Sequence, residues 1–359
     1  MRSFRTSVTF SALVGLALAC SAGCGGCNKS STGGRIKAGG ATFINPIMQK
    51  WAEEYNTTAK VEIDYAPEGS GYGIKQMTDK NIAFGCSDAP MKKSELEAAT
   101  TAGGEVIHIP LAIGAVTVVF NLNEIKELKL TGDIVASIFL RKITKWNDPA
   151  IAALNPGTTL PDLAIVPVTR SDKSGTTNIF TEYLSKVSPE FKTTVGVSTQ
   201  PTWPKGGVAQ AGSGGIASHV KANPGCISYV ELNFAKISVL GLTSLKNRKG
   251  MFVAPEAAGV TAAAEAAAND KQTAEPYTLH ELTFSLTDTD GEKAYPIVGV
   301  SYAVVFTKPP ADKGGKLVQA FLKWAVTDGQ KFAEEKDYAP LPEELRKKCL
   351  ARIEKIVAE

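Results

Sequence analysis

Four times in the first half of the chain, an apolar strand-like run ends in a short loop of Gly, Ser, Thr or Asp and passes directly into a helical pattern. The loops are Gly39-Gly40-Ala41-Thr42-Phe43, Gly69-Ser70-Gly71, Ser87-Asp88-Ala89-Pro90 and Arg170-Ser171-Asp172-Lys173-Ser174-Gly175-Thr176. Strands alternating with helices predict α/β lobes with mainly parallel sheets, and in such sheets ligands sit beyond the carboxyl ends of the strands, where these loops lie. Each loop also delivers a helix start, whose first N–H groups have no internal partner and which carries partial positive charge. Such a chain is constrained to an α/β architecture with loops disposed towards an anion.

The individual loops differ in what they add. Arg170 supplies a planar, permanently charged group suited to a tetrahedral oxyanion. Ser174 and Thr176 add hydroxyls, and Gly175 lets the backbone come close. By itself this stretch also fits a capped helix beside a surface Arg. Thr42 and Phe43 lie just before a helix that opens at Pro46, so Thr42 fits an N-terminal cap as well as a binding hydroxyl. The Ser70 loop is not a P-loop, because no Gly-Lys-Ser/Thr follows, and its glycines are too tightly spaced for a dinucleotide fingerprint. Asp88 is the exception in sign. A carboxylate in an anion cleft repels the ligand unless the ligand brings a proton to donate; alternatively Asp88 is a turn or cap residue ahead of the next helix.

The remaining composition narrows the class. At 359 residues with 43% hydrophobic content, the chain can bury one large core or two. A net charge of +3 with scattered Lys and Arg argues against nucleic acid or an acidic membrane surface as the main partner. The N-terminus reads as an export signal over residues 1–23: Arg2 and Arg5, an uncharged apolar run from Val8 to Ala19, then small residues. Two stretches, one ending at Cys20 and one at Cys24, resemble bacterial lipoprotein cleavage sites, so either Cys could carry lipid; export without lipid is the alternative. Residues 24–34 read as a flexible tether. Of the six Cys, only Cys86, Cys226 and Cys349 fall in the folded part, where they read as small buried apolar residues, a Cys86–Cys226 bridge being possible but unsupported. No spacing suggests a metal.

Further on, Val106–Pro110, Leu111–Gly114 and Ala115–Phe120 read as apolar runs joined through Gly, a crossover between lobes. Tyr295–Phe306 reads as a second crossover. The Ala-rich run from Pro255 to Asn269 reads as a surface helix. His108, His219 and His280 stand in unrelated contexts and read as structural or surface residues. No nucleophile elbow, zinc-protease helix or Walker sequence is present.

The four loops taken in order, with Lys145-Trp146-Asn147, Pro224–Glu231 and Asp337–Pro342, resemble the periplasmic phosphate-binding protein of the high-affinity phosphate ABC transporter, from about Arg35 to about Leu345. The resemblance implies a type II periplasmic-binding-protein fold: two α/β lobes joined by two crossover strands, with ligand in the interlobe cleft. Lobe I would comprise 35–113 and 298–359, and lobe II 114–297. It implies that Thr42 offers a hydroxyl, Phe43 a backbone N–H while excluding water, and Ser70 both. Asp88 would accept the phosphate proton, which sulfate lacks near neutral pH. Arg170, Ser174, Gly175 and Thr176 would complete the cage, with Asp172 holding the Arg170 guanidinium. The ligand would be inorganic phosphate, with no cofactor and no catalysis, and the partner an ABC permease, for a monomer held outside the cytoplasm by its lipid anchor. Tyr72, Cys86 and Cys226 depart from the family pattern, and Tyr72 could narrow the cleft rim. The rival readings are a binder of arsenate, sulfate or molybdate, an exported phosphate-ester hydrolase, for which no nucleophile–base pair or metal is visible, and a regulatory or adhesive surface lipoprotein.

Overall fold

The structure, a computed structural model, describes residues 33–267 and 275–357. The signal segment, Cys20, Cys24 and Asn269 lie outside the described residues. The first half of the fold contains β1 (Arg35–Gly40), α1 (Asn45–Ala59), β2 (Glu62–Ala66), α2 (Ser70–Thr78), β3 (Phe84–Ser87), α3 (Lys93–Gly103) and the long β4 (Val106–Phe120). The second half contains β5 (Glu127–Leu130), α4 (Gly132–Phe139), α5 (Pro149–Ala152), β6 (Val166–Arg170), α6 (Gly175–Val187), α7 (Pro189–Thr194), β7 (Val208–Gln210), α8 (Gly212–Ala222), β8 (Cys226–Glu231), α9 (Leu232–Ile237), β9 (Gly241–Lys246), β10 (Phe252–Val253), α10 (Ala257–Ala267) and β11 (Leu286–Thr287). The chain returns through β12 (Ile297–Phe306), α11 (Gly315–Val326), β13 (Tyr338–Ala339) and α12 (Glu343–Ile353).

The strand order is β2-β1-β3-β12-β4-β8-β6-β7. Parallel pairs form each outer part: β1 with β2 and β3, and β6 with β7 and β8. The centre is not parallel as expected. β12 runs antiparallel to β3 and β4, and β4 runs antiparallel to β8, because the two long strands carry the chain out and back between the halves. β4 is one uninterrupted, wholly buried strand of 15 residues rather than runs joined at Gly114. Its partner changes within it: Ala115 is the last residue facing β12, and Val116 the first facing β8. Pro110 is tolerated in this central strand because the register with β12 shifts beside it, between Ser301 and Tyr302; a bulge is where a residue without an N–H fits.

Helices form where the spacing placed them, with informative differences. α1 buries Ile47, Met48, Trp51 and Tyr55 behind a first-turn Pro46. α6 buries far more than its apolar face, everything from Gly175 to Ser185, because Glu182 on its polar side accepts from Tyr277 Oη and from Thr287 Oγ1. The Ala-rich helix is not simply a surface element. α10 buries Gly259, Val260 and Ala263, and Tyr295 donates its N–H to the Gly259 carbonyl. His108 and His280 share a context after all: their rings lie 3.8 Å apart, and Met91 bonds both, its N–H to His108 Nε2 and its carbonyl with His280 Nε2. Cys86, Cys226 and Cys349 are buried free thiols.

Trp146 shows how the second half closes. It is fully buried, packs on Phe120 with ring centroids 5.6 Å apart, and donates Nε1–H to the Gly225 carbonyl at 3.0 Å. Trp146→Ala is expected to cost about 3–5 kcal/mol of stability, chiefly from the cavity, since the Gly225 carbonyl keeps the Val166 N–H as a partner. Urea unfolding measures this, and a loss under about 1 kcal/mol would contradict the packing described.

Candidate functional site

The four loops converge where the two halves face each other. Thr42, Phe43, Ser70, Asp88, Arg170, Ser174, Gly175 and Thr176 are all buried there. The approach is close enough to require glycine. A Cβ on Gly175 would sit 2.5 Å from Ser70 Oγ and 2.6 Å from Asp88 Cβ. Gly69, at φ +98°, likewise leaves room for Asp172.

Ser70 opens α2 and binds the halves together. Its Oγ accepts the Asp88 N–H and the Gly175 N–H, each at 3.1 Å, the second contact spanning 105 residues of sequence. Both donors are obligatory, so the Ser70 proton is left to be given away. Ser174 follows the same pattern: as N-cap of α6 its Oγ accepts from the Thr177 N–H at 3.1 Å. Thr176 Oγ1, one residue into the same helix, is buried with no hydrogen-bond partner. Thr42 does not cap α1, whose cap position is Ile44. Its hydroxyl turns instead to the opposite half and lies 2.8 Å from Ser213 Oγ. The Phe43 ring packs edge-on against Tyr338 at 6.0 Å, and Tyr338 Oη donates to the Phe43 carbonyl. That side chain braces the loop from the core side. Tyr72 is half-buried along Gly39 of β1.

Two charged groups are buried here, near enough for the Arg170 charge to act on Asp88. Arg170 is 4% exposed and is gripped by Asp172, with Nε–Oδ1 at 2.7 Å and Nη2–Oδ2 at 2.5 Å. Burial raises the Asp172 pKa, but the guanidinium and the Gly212 N–H outweigh it and hold that carboxyl below its usual range. Nη1 is left free of Asp172 and points to Ser213 Oγ at 3.4 Å. Asp88, 3% exposed, does not cap α3, whose cap position is Lys92. Its Oδ1 accepts from Ser301 Oγ at 2.7 Å. Burial pushes the Asp88 pKa up to about 7, against the lowering effects of Ser301, Arg170 and Ser70. Near neutral pH this carboxyl can therefore either hold a proton or accept one.

Sequence reasoning missed two neighbours of the site. Ser301 lies inside an apolar strand, and only the bulge beside it aims its hydroxyl at Asp88. Ser213 follows the left-handed Gly212 and opens α8, the same Gly/Ser-before-helix device as Ser70; that repetition was the available signal. Among the described residues, no group of three or more His, Cys, Asp or Glu is placed to hold a metal.

Comparison with known proteins accords with this arrangement. A family model described as a PBP superfamily domain matches residues 28–329. The phosphate-binding protein PstS of Xylella fastidiosa (strain 9a5c) is 42% identical over 88% of this chain and 84% of its own length. The PstS of the archaeon Methanocaldococcus jannaschii is 37% identical over 87% and 84%. Among solved structures, the phosphate-bound periplasmic protein PfluDING superposes with TM-score 0.71 at 21% identity, covering 88% of this chain and 93% of its own. The phosphate binding protein of Stenotrophomonas maltophilia gives 0.69 at 22% identity, over 89% and 93%. At such identities these structures speak for the fold alone, the periplasmic-binding architecture of two α/β lobes on shared long strands. The sequence relatives go further: this chain belongs to the PstS family of phosphate-binding proteins, within the PBP superfamily.

Proposed function

We propose that the protein captures inorganic phosphate outside the cytoplasm and hands it to an ABC permease for import. The observation that carries this reading is the pairing of one acceptor, Asp88, with donors on every other side of a single buried point. The donors are the Arg170 Nη edge, the hydroxyls of Thr42, Ser70, Ser174 and the partnerless Thr176, and the backbone N–H groups of Phe43, Ser70 and Thr176 at their loops and helix starts, the Gly175 N–H being taken by Ser70 Oγ. Such a set suits an oxyanion that carries a proton. Asp172 keeps the guanidinium in place and offsets much of its charge, so local dipoles do most of the neutralising. Capture involves no catalytic step. Cleft closure is a hinge of lobe I, 35–113 with 298–359, against lobe II, 114–297, on the β4 and β12 strands. The protein acts as a monomer, exported by its signal segment and held at a membrane by lipid on Cys20 or Cys24.

Calorimetry tests the ligand. Phosphate is expected to bind one-to-one and tightly at pH 8.5, unaffected by excess sulfate; no heat from folded protein would overturn the assignment. Arsenate, protonated like phosphate, is the oxyanion the Asp88 argument admits. Phosphomonoesters are expected to be left intact.

Arg170→Ala removes a charge-assisted contact worth about 1.5–3 kcal/mol, so phosphate affinity should fall roughly ten- to a hundredfold. Unchanged affinity in that variant would remove Arg170 from the site. Asp88→Asn should weaken phosphate and admit sulfate, because an amide donates where a carboxylate repels.

The pKa of about 7 for Asp88 adds a pH dependence. Above that pH the group is an anion that accepts; below it the carboxyl carries a proton and can donate to sulfate. Sulfate competition should therefore be absent at about pH 8.5 and appear towards pH 5. Equal sulfate rejection at both values would deny Asp88 the selecting role.

A further inference from the structure

Ser213 touches both halves of the site. It is fully buried at the start of α8, its Oγ lies 2.8 Å from Thr42 Oγ1, and its own N–H donates to the same Thr42 oxygen at 3.3 Å. Arg170 Nη1 donates to Ser213 Oγ at 3.4 Å. One residue earlier, the Gly212 N–H donates to Asp172 Oδ1 at 3.0 Å, so the turn that presents Ser213 is fixed to the partner of Arg170.

The direction of these bonds has a chemical consequence. A guanidinium and a backbone N–H can only donate. Ser213 Oγ therefore accepts from Arg170 and, in the orientation that gives the Thr42 hydroxyl to the anion, donates its own proton to Thr42 Oγ1. That oxygen then accepts from both Ser213 Oγ–H and Ser213 N–H, which fills its lone pairs. In that orientation the Thr42 proton is directed into the cleft, whereas the reverse orientation would spend it on the second lone pair of Ser213 Oγ.

We propose that Ser213 is a positioning residue that makes Thr42 a one-way donor to the bound anion and latches the closed cleft by tying Thr42 of one lobe to Arg170 of the other. This rests on the phosphate-capture reading and adds a residue to it. Because Ser213 bridges the lobes, its bonds exist only when they meet, so its loss acts on release more than on capture. Because it acts through Thr42, its effect depends on the Thr42 hydroxyl.

The test is stopped-flow and equilibrium phosphate binding at pH 8.5 on the unaltered protein, Ser213→Ala, Thr42→Val and the double variant. Ser213→Cys is included because it leaves no cavity while bonding weakly. Ser213→Ala and Ser213→Cys should each bind phosphate roughly tenfold more weakly, with the loss in faster release and the association rate changed less than about twofold. In the Thr42→Val background, Ser213→Ala should cost less than about twofold more, since the hydroxyl it orients is already gone. Unchanged release in both Ser213 variants overturns the latch. So does a full tenfold loss when Ser213→Ala is added to Thr42→Val, which would mark a general packing effect. Absence of phosphate binding by the unaltered protein overturns the function itself and the latch with it.

Discussion

A guanidinium buried as deeply as that of Arg170 cannot stand without a counter-charge, and its grip by Asp172 is the interaction on which the rest of the site depends. Asp172 takes two N–H groups of the guanidinium and leaves Nη1 directed at Ser213 Oγ at the start of α8. The same carboxylate receives the Gly212 N–H, which sets the start of α8 and hence Ser213. It also lies so near Gly69 that a Cβ there would come within 2.4 Å of Oδ2. One ion pair thus fixes the charge, the third helix start and the distance between the two halves.

Around that pair the site is built from dipoles and hydroxyls more than from charges. An anion buried among several full positive charges would leave surplus charge desolvated whenever the cleft emptied. Helix starts at Ser70, Gly175 and Gly212 supply partial charge that is already paid for by the folding of α2, α6 and α8. The Ser70 hydroxyl, whose two lone pairs are filled by obligatory backbone donors, becomes a donor by elimination. Against this uniform set of donors Asp88 is the lone acceptor, and Ser301 holds it in place. The proposed selectivity for a protonated oxyanion rests on that asymmetry.

The strands that carry the halves explain how such a site can close. β4 gives its first residues to β12 and its last to β8, so each half has its own sheet partners on a shared strand. β13 pairs at Ile113 and Gly114, beside the change of partner, and Tyr338 in β13 reaches the Phe43 carbonyl. The bracing of the Thr42–Phe43 loop is therefore attached to the region about which the lobes would turn.

The alternation of strands and helices, the Gly/Ser loops before helix starts and the single Arg and Asp among them were legible because they are local: period, cap chemistry and residue type are written in adjacent residues. They suffice for an α/β architecture, for an oxyanion as ligand and for naming the loop residues that the fold brings together. Legibility failed wherever the deciding neighbour is far away along the chain. Thr42 and Asp88 fitted helix caps equally well until the fold showed their side chains turned towards Ser213 and Ser301, 171 and 213 residues distant. The antiparallel centre of the sheet, the shared context of His108 and His280, and the half-buried Ala-rich helix depended likewise on which elements became neighbours. A hydroxyl has the same chemistry everywhere in a sequence, but whether it donates or accepts is decided by the obligatory donors that tertiary structure places around it.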